Sequence, residues 1–85
     1  MSELGARNRL FDEVVALSGL ETMLGPGTVQ RALAAVGVAA PELANRSDYE
    51  RALPQLKARM AIYLNPDELE SRVAQIAALL QNTRD

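Results

Sequence analysis

The sequence predicts an all-α protein: a compact bundle of four or five short helices that ends in a C-terminal helical hairpin. Three observations lead there. Tyr49, Leu53, Leu56, Met60 and Leu64 recur at three- and four-residue steps, and Leu69, Val73, Ile76 and Leu80 do the same after a short joint. Hydrophobic residues make up 48% of the chain while aromatics are only Phe11, Tyr49 and Tyr63, so the core is built from Leu, Val, Ile, Met and Ala, a set suited to close helix packing. No apolar segment alternates over a useful length, as a half-buried strand would. The 85 residues form one domain, close to the size at which a single core only just suffices.

Taken in order, the first helix is expected over residues 4–18, with Leu10, Phe11, Val14 and Leu17 as its apolar face. Gly19 interrupts it, and Leu20 to Leu24 have the length of one further turn. Gly25-Pro26-Gly27 reads as the strongest break in the chain: a tight turn, with Thr28 as N-cap of a helix from Val29 to Val36. No Lys follows these glycines and no strand precedes them, so they do not form a phosphate-binding loop. In that second helix Val29, Leu33 and Val36 are the buried set, Ala32 and Ala35 permit close approach, and Gly37 suits the left-handed position past the end. Residues 39–46 read as a loop holding one helical turn from Pro41.

Ser47 and Glu50 have the spacing of a capping box that opens the next helix. Pro54 then removes a backbone donor and crowds the Glu50 carbonyl, at a cost of ~3 kcal/mol in a straight helix. The expectation is a short helix over 48–53, a kink or break, and a longer helix over 54–64. The final helix runs from Pro66 to Gln81, with Asn65 as cap, Pro66 at the first helical position and Glu68 where a capping box takes a carboxylate. Residues 82–85 are expected to fray.

Composition bears on function mainly by exclusion. The net charge is -2, which offers nothing for electrostatic capture of nucleic acid or an anionic membrane. With no Cys and no His, thiol nucleophiles, iron–sulfur clusters, the commonest general base and the commonest zinc ligand are all absent. Asp67, Glu68 and Glu70 cluster where the helix macrodipole already favours anions, and no partner is legible that would raise one carboxyl pKa for acid–base work. No catalytic, cofactor-binding or metal-ligating residue is therefore predicted, and no segment has the length of a signal peptide or membrane span, which makes the cytoplasm the default location.

Two local resemblances add expectations. Residues 32–43, Ala-Leu-Ala-Ala-Val-Gly-Val-Ala-Ala-Pro-Glu-Leu, resemble the turn of helix-turn-helix DNA-binding regulators, with Gly37, Val38 and Leu43 in register. They depart from that pattern at Leu33, where a small residue is usual, and at Arg46, where an apolar one is. That resemblance implies a small DNA-binding regulator whose cations would be Arg31 and Arg46. Leu24-Gly25-Pro26-Gly27-Thr28-Val29-Gln30-Arg31-Ala32-Leu33, followed by Tyr49-Glu50-Arg51-Ala52-Leu53, is similar to small helical modules attached to bacterial receivers and kinases. It implies a non-catalytic regulatory module in bacterial signalling.

The most informative surface lies on residues 54–64. Leu56, Met60, Tyr63 and Leu64 form the stripe facing the hairpin partner, yet Ala58, Ala61 and Ile62 lie to the other side beside Arg51, Gln55 and Arg59. Two readings are open. The favoured one makes this a central helix sandwiched in the core, with Ile62 buried. The other makes Ile62 and Tyr63 the centre of a partner-binding face with Arg51 and Arg59 at its rim. The functional expectation is a protein-interaction module that binds another protein or itself as a homodimer; nucleic acid and membrane are not expected partners.

Overall fold

A computed structural model describes residues 3–83, with side chains from Arg9 onward. Four α-helices follow one another: α1 (Glu3–Leu17), α2 (Gly25–Ala35), α3 (Arg46–Met60) and α4 (Pro66–Gln81), with a 3-10 turn over Pro41–Leu43 between α2 and α3. No strand occurs among the described residues. The helices close a ring in which α2 packs on α3, α3 on α4, and α1 against both α2 and α4, while the 3-10 turn lies on α1. Leu10, Val14, Val29, Ala32, Leu33, Ala44, Tyr49, Ala52, Leu56, Met60, Ile76 and Leu80 form the core inside that ring. Within each helix these positions repeat at three- and four-residue steps, which is why four amphipathic segments suffice to enclose it.

The loops that leave α1 and α2 use glycine for the same reason. Gly19 follows α1 with φ 72° and Gly37 follows α2 with φ 91°, a left-handed region that L side chains enter only with strain. At the second, the Gly37 N–H donates to the Ala34 carbonyl and the Val38 N–H to the Leu33 carbonyl, both at 3.0 Å, so Val38 folds back on the helix end.

Before the C-terminal hairpin, three features depart from the sequence reading. Gly25-Pro26-Gly27 is the first turn of α2 and not a break before it. The Leu24 and Gly25 N–H groups both donate to the Glu21 carbonyl, at 2.9 and 2.8 Å, and Pro26 needs no donor in a first turn. Gly25 is buried so closely on α1 that a Cβ there would lie 2.9 Å from Val15 Cγ1; its role is helix contact. Thr28 is accordingly no cap: its hydroxyl donates 2.7 Å back to the Leu24 carbonyl.

The second departure is the cap of α3, which is Asn45, two residues earlier than Ser47. Asn45 Oδ1 accepts from the Asp48 N–H at 2.9 Å and Asp48 Oδ2 accepts from the Asn45 N–H at 3.0 Å, a complete capping box. Glu50, the expected box partner of Ser47, is instead paired with Arg46 at 3.1 Å. Third, α3 runs unbroken through Pro54. Tyr49 and Ala52 before the proline and Leu56 and Met60 after it lie on one buried stripe. Burying two large side chains beyond Pro54 is worth ~3–6 kcal/mol, which offsets a proline cost of ~3 kcal/mol. Glu50 and Pro54 are both exposed, so water can satisfy the Glu50 carbonyl that lacks its donor.

The C-terminal hairpin follows the expectation at α4 and departs from it at the end of α3. Asn65 Oδ1 accepts from the Glu68 N–H at 2.8 Å, and Pro66 opens the helix. The Glu68 carboxylate does not complete the expected capping box: it turns along the helix and pairs with Arg72 at 2.9 Å. At the far end, Asn82 Nδ2 donates to the Ala78 carbonyl at 3.0 Å and Thr83 Oγ1 to that of Leu79 at 2.7 Å. Of the four residues expected to fray, Arg84 and Asp85 lie outside the described residues.

Candidate functional site

α3 stops at Met60, four residues short of the expected boundary, and that difference creates the most prominent surface feature. The N–H groups of Tyr63 and Leu64 both donate to the Met60 carbonyl at 3.0 Å, which tightens residues 61–64 into a turn. Leu64 packs against the core, while Ile62 is 75% exposed and Tyr63 49% exposed. The favoured expectation of a buried Ile62 is therefore wrong, and Tyr63 is not part of the stripe that faces α4. Tyr63 is turned out because the helical period that would have carried it inward ends one turn earlier, and Ile62 lies on the side of the chain away from that stripe.

α2 runs antiparallel to α3, so its first half meets the end of α3 and the turn. Thr28 and Arg31 from α2 line a cleft of about 60 Å³ with Arg59, Ile62 and Tyr63. Small-molecule sites are typically ~300–1,000 Å³, so this is a dent in a surface and not a ligand pocket. Leu24, one turn before Thr28 on the same helix face, is another exposed large apolar residue, and Met23 beside it is 90% exposed.

The charges around this patch are unevenly matched. Arg46 pairs with Glu50, Arg51 with Asp48 and Arg72 with Glu68, all within one helix. Among the described residues Arg31 and Arg59 form no ion pair, and the buried Nε of Arg59 has no hydrogen-bond partner. On the other side of the turn, Asp67 and Glu70 in the first turns of α4 are exposed and likewise unpaired. Cations thus lie towards α2 and carboxylates towards α4, with Ile62 and Tyr63 between.

Of the four residues expected at a partner surface, Arg59, Ile62 and Tyr63 come together and Arg51 does not. Arg51 lies two turns back along α3, where its Nη1 donates to the Val36 carbonyl at 3.2 Å and its Nη2 pairs with Asp48. It closes the C-terminal end of α2, where a cation meets the negative end of the helix dipole. Arg31 was placed by the sequence only in the DNA-binding alternative. A signal for it existed: neither Arg31 nor Arg59 has an acidic residue three or four positions away, whereas Arg46, Arg51 and Arg72 each do. That Thr28 joins them depends on the α2–α3 crossing, which no local pattern reveals.

Among the described residues one group elsewhere, Tyr49, is strongly perturbed. It is buried in α3 and its hydroxyl has no protein hydrogen-bond partner. Burial, then the carboxylates of Asp12 and Asp48, push its phenol well above the usual tyrosine range. This group is enclosed by the core and does not line the cleft between α2 and α3. Among the described residues no acidic cluster could hold a metal ion, and no helix is long and apolar enough to cross a membrane.

The helix-turn-helix register is not built as such. Its second helix would begin at Pro41, where the chain makes only the three-residue 3-10 turn before the cap of α3. The Leu-Gly-Pro segment forms the start of α2 and its contact with α1. Neither a family model nor a curated protein nor a solved structure matches the chain.

Proposed function

We propose that this domain is a non-catalytic protein-interaction module, and that its working surface is the turn carrying Ile62 and Tyr63 with Arg59 and Arg31 beside it. The observation that carries the reading is the pairing of two adjacent, outward apolar side chains with two arginines that lack internal partners. Tyr and Arg are the residues that most often anchor interfaces, and an arginine with no intramolecular carboxylate gives up nothing inside its own chain when it meets one outside. A regulatory role in bacterial signalling rests on the likeness of residues 24–33 and 49–53 to modules of that kind. The DNA-binding alternative has less behind it, since the segment meant for the groove is three residues of 3-10 helix.

The test is a photo-crosslinking amino acid placed at position 62 and irradiated in the source cell, with Ile62→Asp as companion. A discrete adduct is expected, and its mass identifies the class of partner. Ile62→Asp should keep the melting temperature of the parent within a few degrees, because the side chain is already in water, while losing association. An Ile62→Asp protein that unfolds would show that the residue is core after all. Diffuse labelling with no discrete adduct would end the interaction reading.

A further inference from the structure

We infer that the partner seated on this surface is a second copy of the same chain, docked about a two-fold axis that passes close to Ile62. The inference rests on the proposal that the Ile62–Tyr63 surface docks a protein; what it adds is the occupant. A two-fold interface needs a patch complementary to itself, with the feature on one side of the axis matched to the feature on the other. α3 packs on α2 along one flank and on α4 along the other, so the turn that ends α3 stands between them. On the α2 flank are Arg31 and Arg59, and on the α4 flank are Asp67 and Glu70; none of the four has an ion-pair partner among the described residues. Rotating a second copy by half a turn about Ile62 sets the cations of each protomer against the carboxylates of the other. Ile62 and Tyr63 then pack on their own symmetry mates at the centre.

Each other cation in α3 and α4 that has an acidic neighbour at helical spacing uses it: Arg46 with Glu50, Arg51 with Asp48 and Arg72 with Glu68. Beside the turn the unpaired charges are segregated, Arg31 and Arg59 on one side of an exposed apolar pair and Asp67 and Glu70 on the other; Lys57, further back on α3, is also unpaired among the described residues. A partner of uniformly acidic character would meet Asp67 and Glu70 as repulsion, whereas a second copy presents the matching pattern. The apolar centre is small beside the ~800 Å² per partner of a stable complex, so the dimer is a weak one, assembling at micromolar or higher concentration.

The experiment is sedimentation equilibrium over protomer concentrations from ~10 μM to ~1 mM, on the wild type and on two charge-reversed variants. Arg31→Glu/Arg59→Glu and Asp67→Lys/Glu70→Lys should each associate about tenfold more weakly than the wild type, since like charges then face each other across the axis. An equimolar mixture should recover wild-type affinity, because every contact in the mixed dimer is again between opposite charges. Asp67→Asn/Glu70→Gln replaces the second variant should lysines disturb the start of α4; it too should weaken self-association and gain on mixing with the arginine-reversed variant less than the lysine form would. A wild type that stays monomeric throughout, or a mixture no tighter than its components, overturns the inference. If the wild type is monomeric and position 62 cross-links to a different protein, the self-pairing falls and the interaction reading stands. If neither association nor a discrete adduct is seen, both fall.

Discussion

Replacing Gly19 with Ala tests the exit from α1, and Gly37 supplies a matched control. Both glycines are left-handed, at φ 72° and 91°, and an alanine in that region costs ~1–2 kcal/mol. They differ in what surrounds them. A Cβ at Gly37 would meet nothing within 4 Å, whereas one at Gly19 would lie 2.8 Å from Arg72 Nε and 3.1 Å from Arg72 Cζ. That guanidinium is held to Glu68 at 2.9 Å, so making room means moving it off its partner. The pair is about one-third exposed, which limits its worth to ~0.5–1 kcal/mol. Gly37→Ala should therefore cost ~1–2 kcal/mol, and Gly19→Ala ~0.5–1 kcal/mol more. For a domain of this size each kcal/mol lowers the melting temperature by roughly 4–8 °C, well within the resolution of a thermal melt. The excess should disappear in an Arg72→Ala background, where the two glycine substitutions become equivalent. Equal losses in the wild-type background, or an excess that survives removal of the Arg72 side chain, would refute the reasoning.

Two further outcomes follow from named groups. Asn65→Ala removes the acceptor bonded to the Glu68 N–H and should lower stability by about 1 kcal/mol in urea denaturation; an unchanged midpoint would mean that α4 does not depend on this cap. Tyr49 keeps its proton in the fold to well above the ordinary value of 10.0, so the unfolded chain ionises first and stability, complete below that pH, should fall by up to ~1.4 kcal/mol per unit above it. Tyr49→Phe should lack this alkaline loss, and parallel declines in the two proteins between pH ~10 and ~11.5 would assign it to another group.

How much of this molecule could be read in advance depended on whether the deciding interaction was local. Both bounds of α4 match the sequence reading, and its start was legible because Asn65 and Pro66 act within one turn of each other. Gly37 and the 3-10 turn at Pro41 were legible for the same reason. Gly25-Pro26-Gly27 was misread because the same tripeptide suits a turn or a first helical turn, and the choice lay with Val15 on another helix. Pro54 was misread because a local penalty was weighed without the burial of Leu56 and Met60 beyond it.

The surface was half legible, and the half that was missed changes the argument about it. Arg59, Ile62 and Tyr63 are neighbours in sequence, but whether they face the core or the solvent turned on α3 ending at Met60 instead of Leu64. Carrying the period four residues further would have turned Tyr63 inward and left Ile62 on the opposite side; full burial of Ile62 against another surface is worth ~1.5–3 kcal/mol, set beside a domain stability on the order of 5–15 kcal/mol. Single exposed apolar residues are ordinary on any surface. Two in succession, on a turn held by paired hydrogen bonds to one carbonyl and flanked by segregated unpaired charges, are a different case. The free domain forgoes that burial, and under the proposed self-pairing association is the step at which it is recovered.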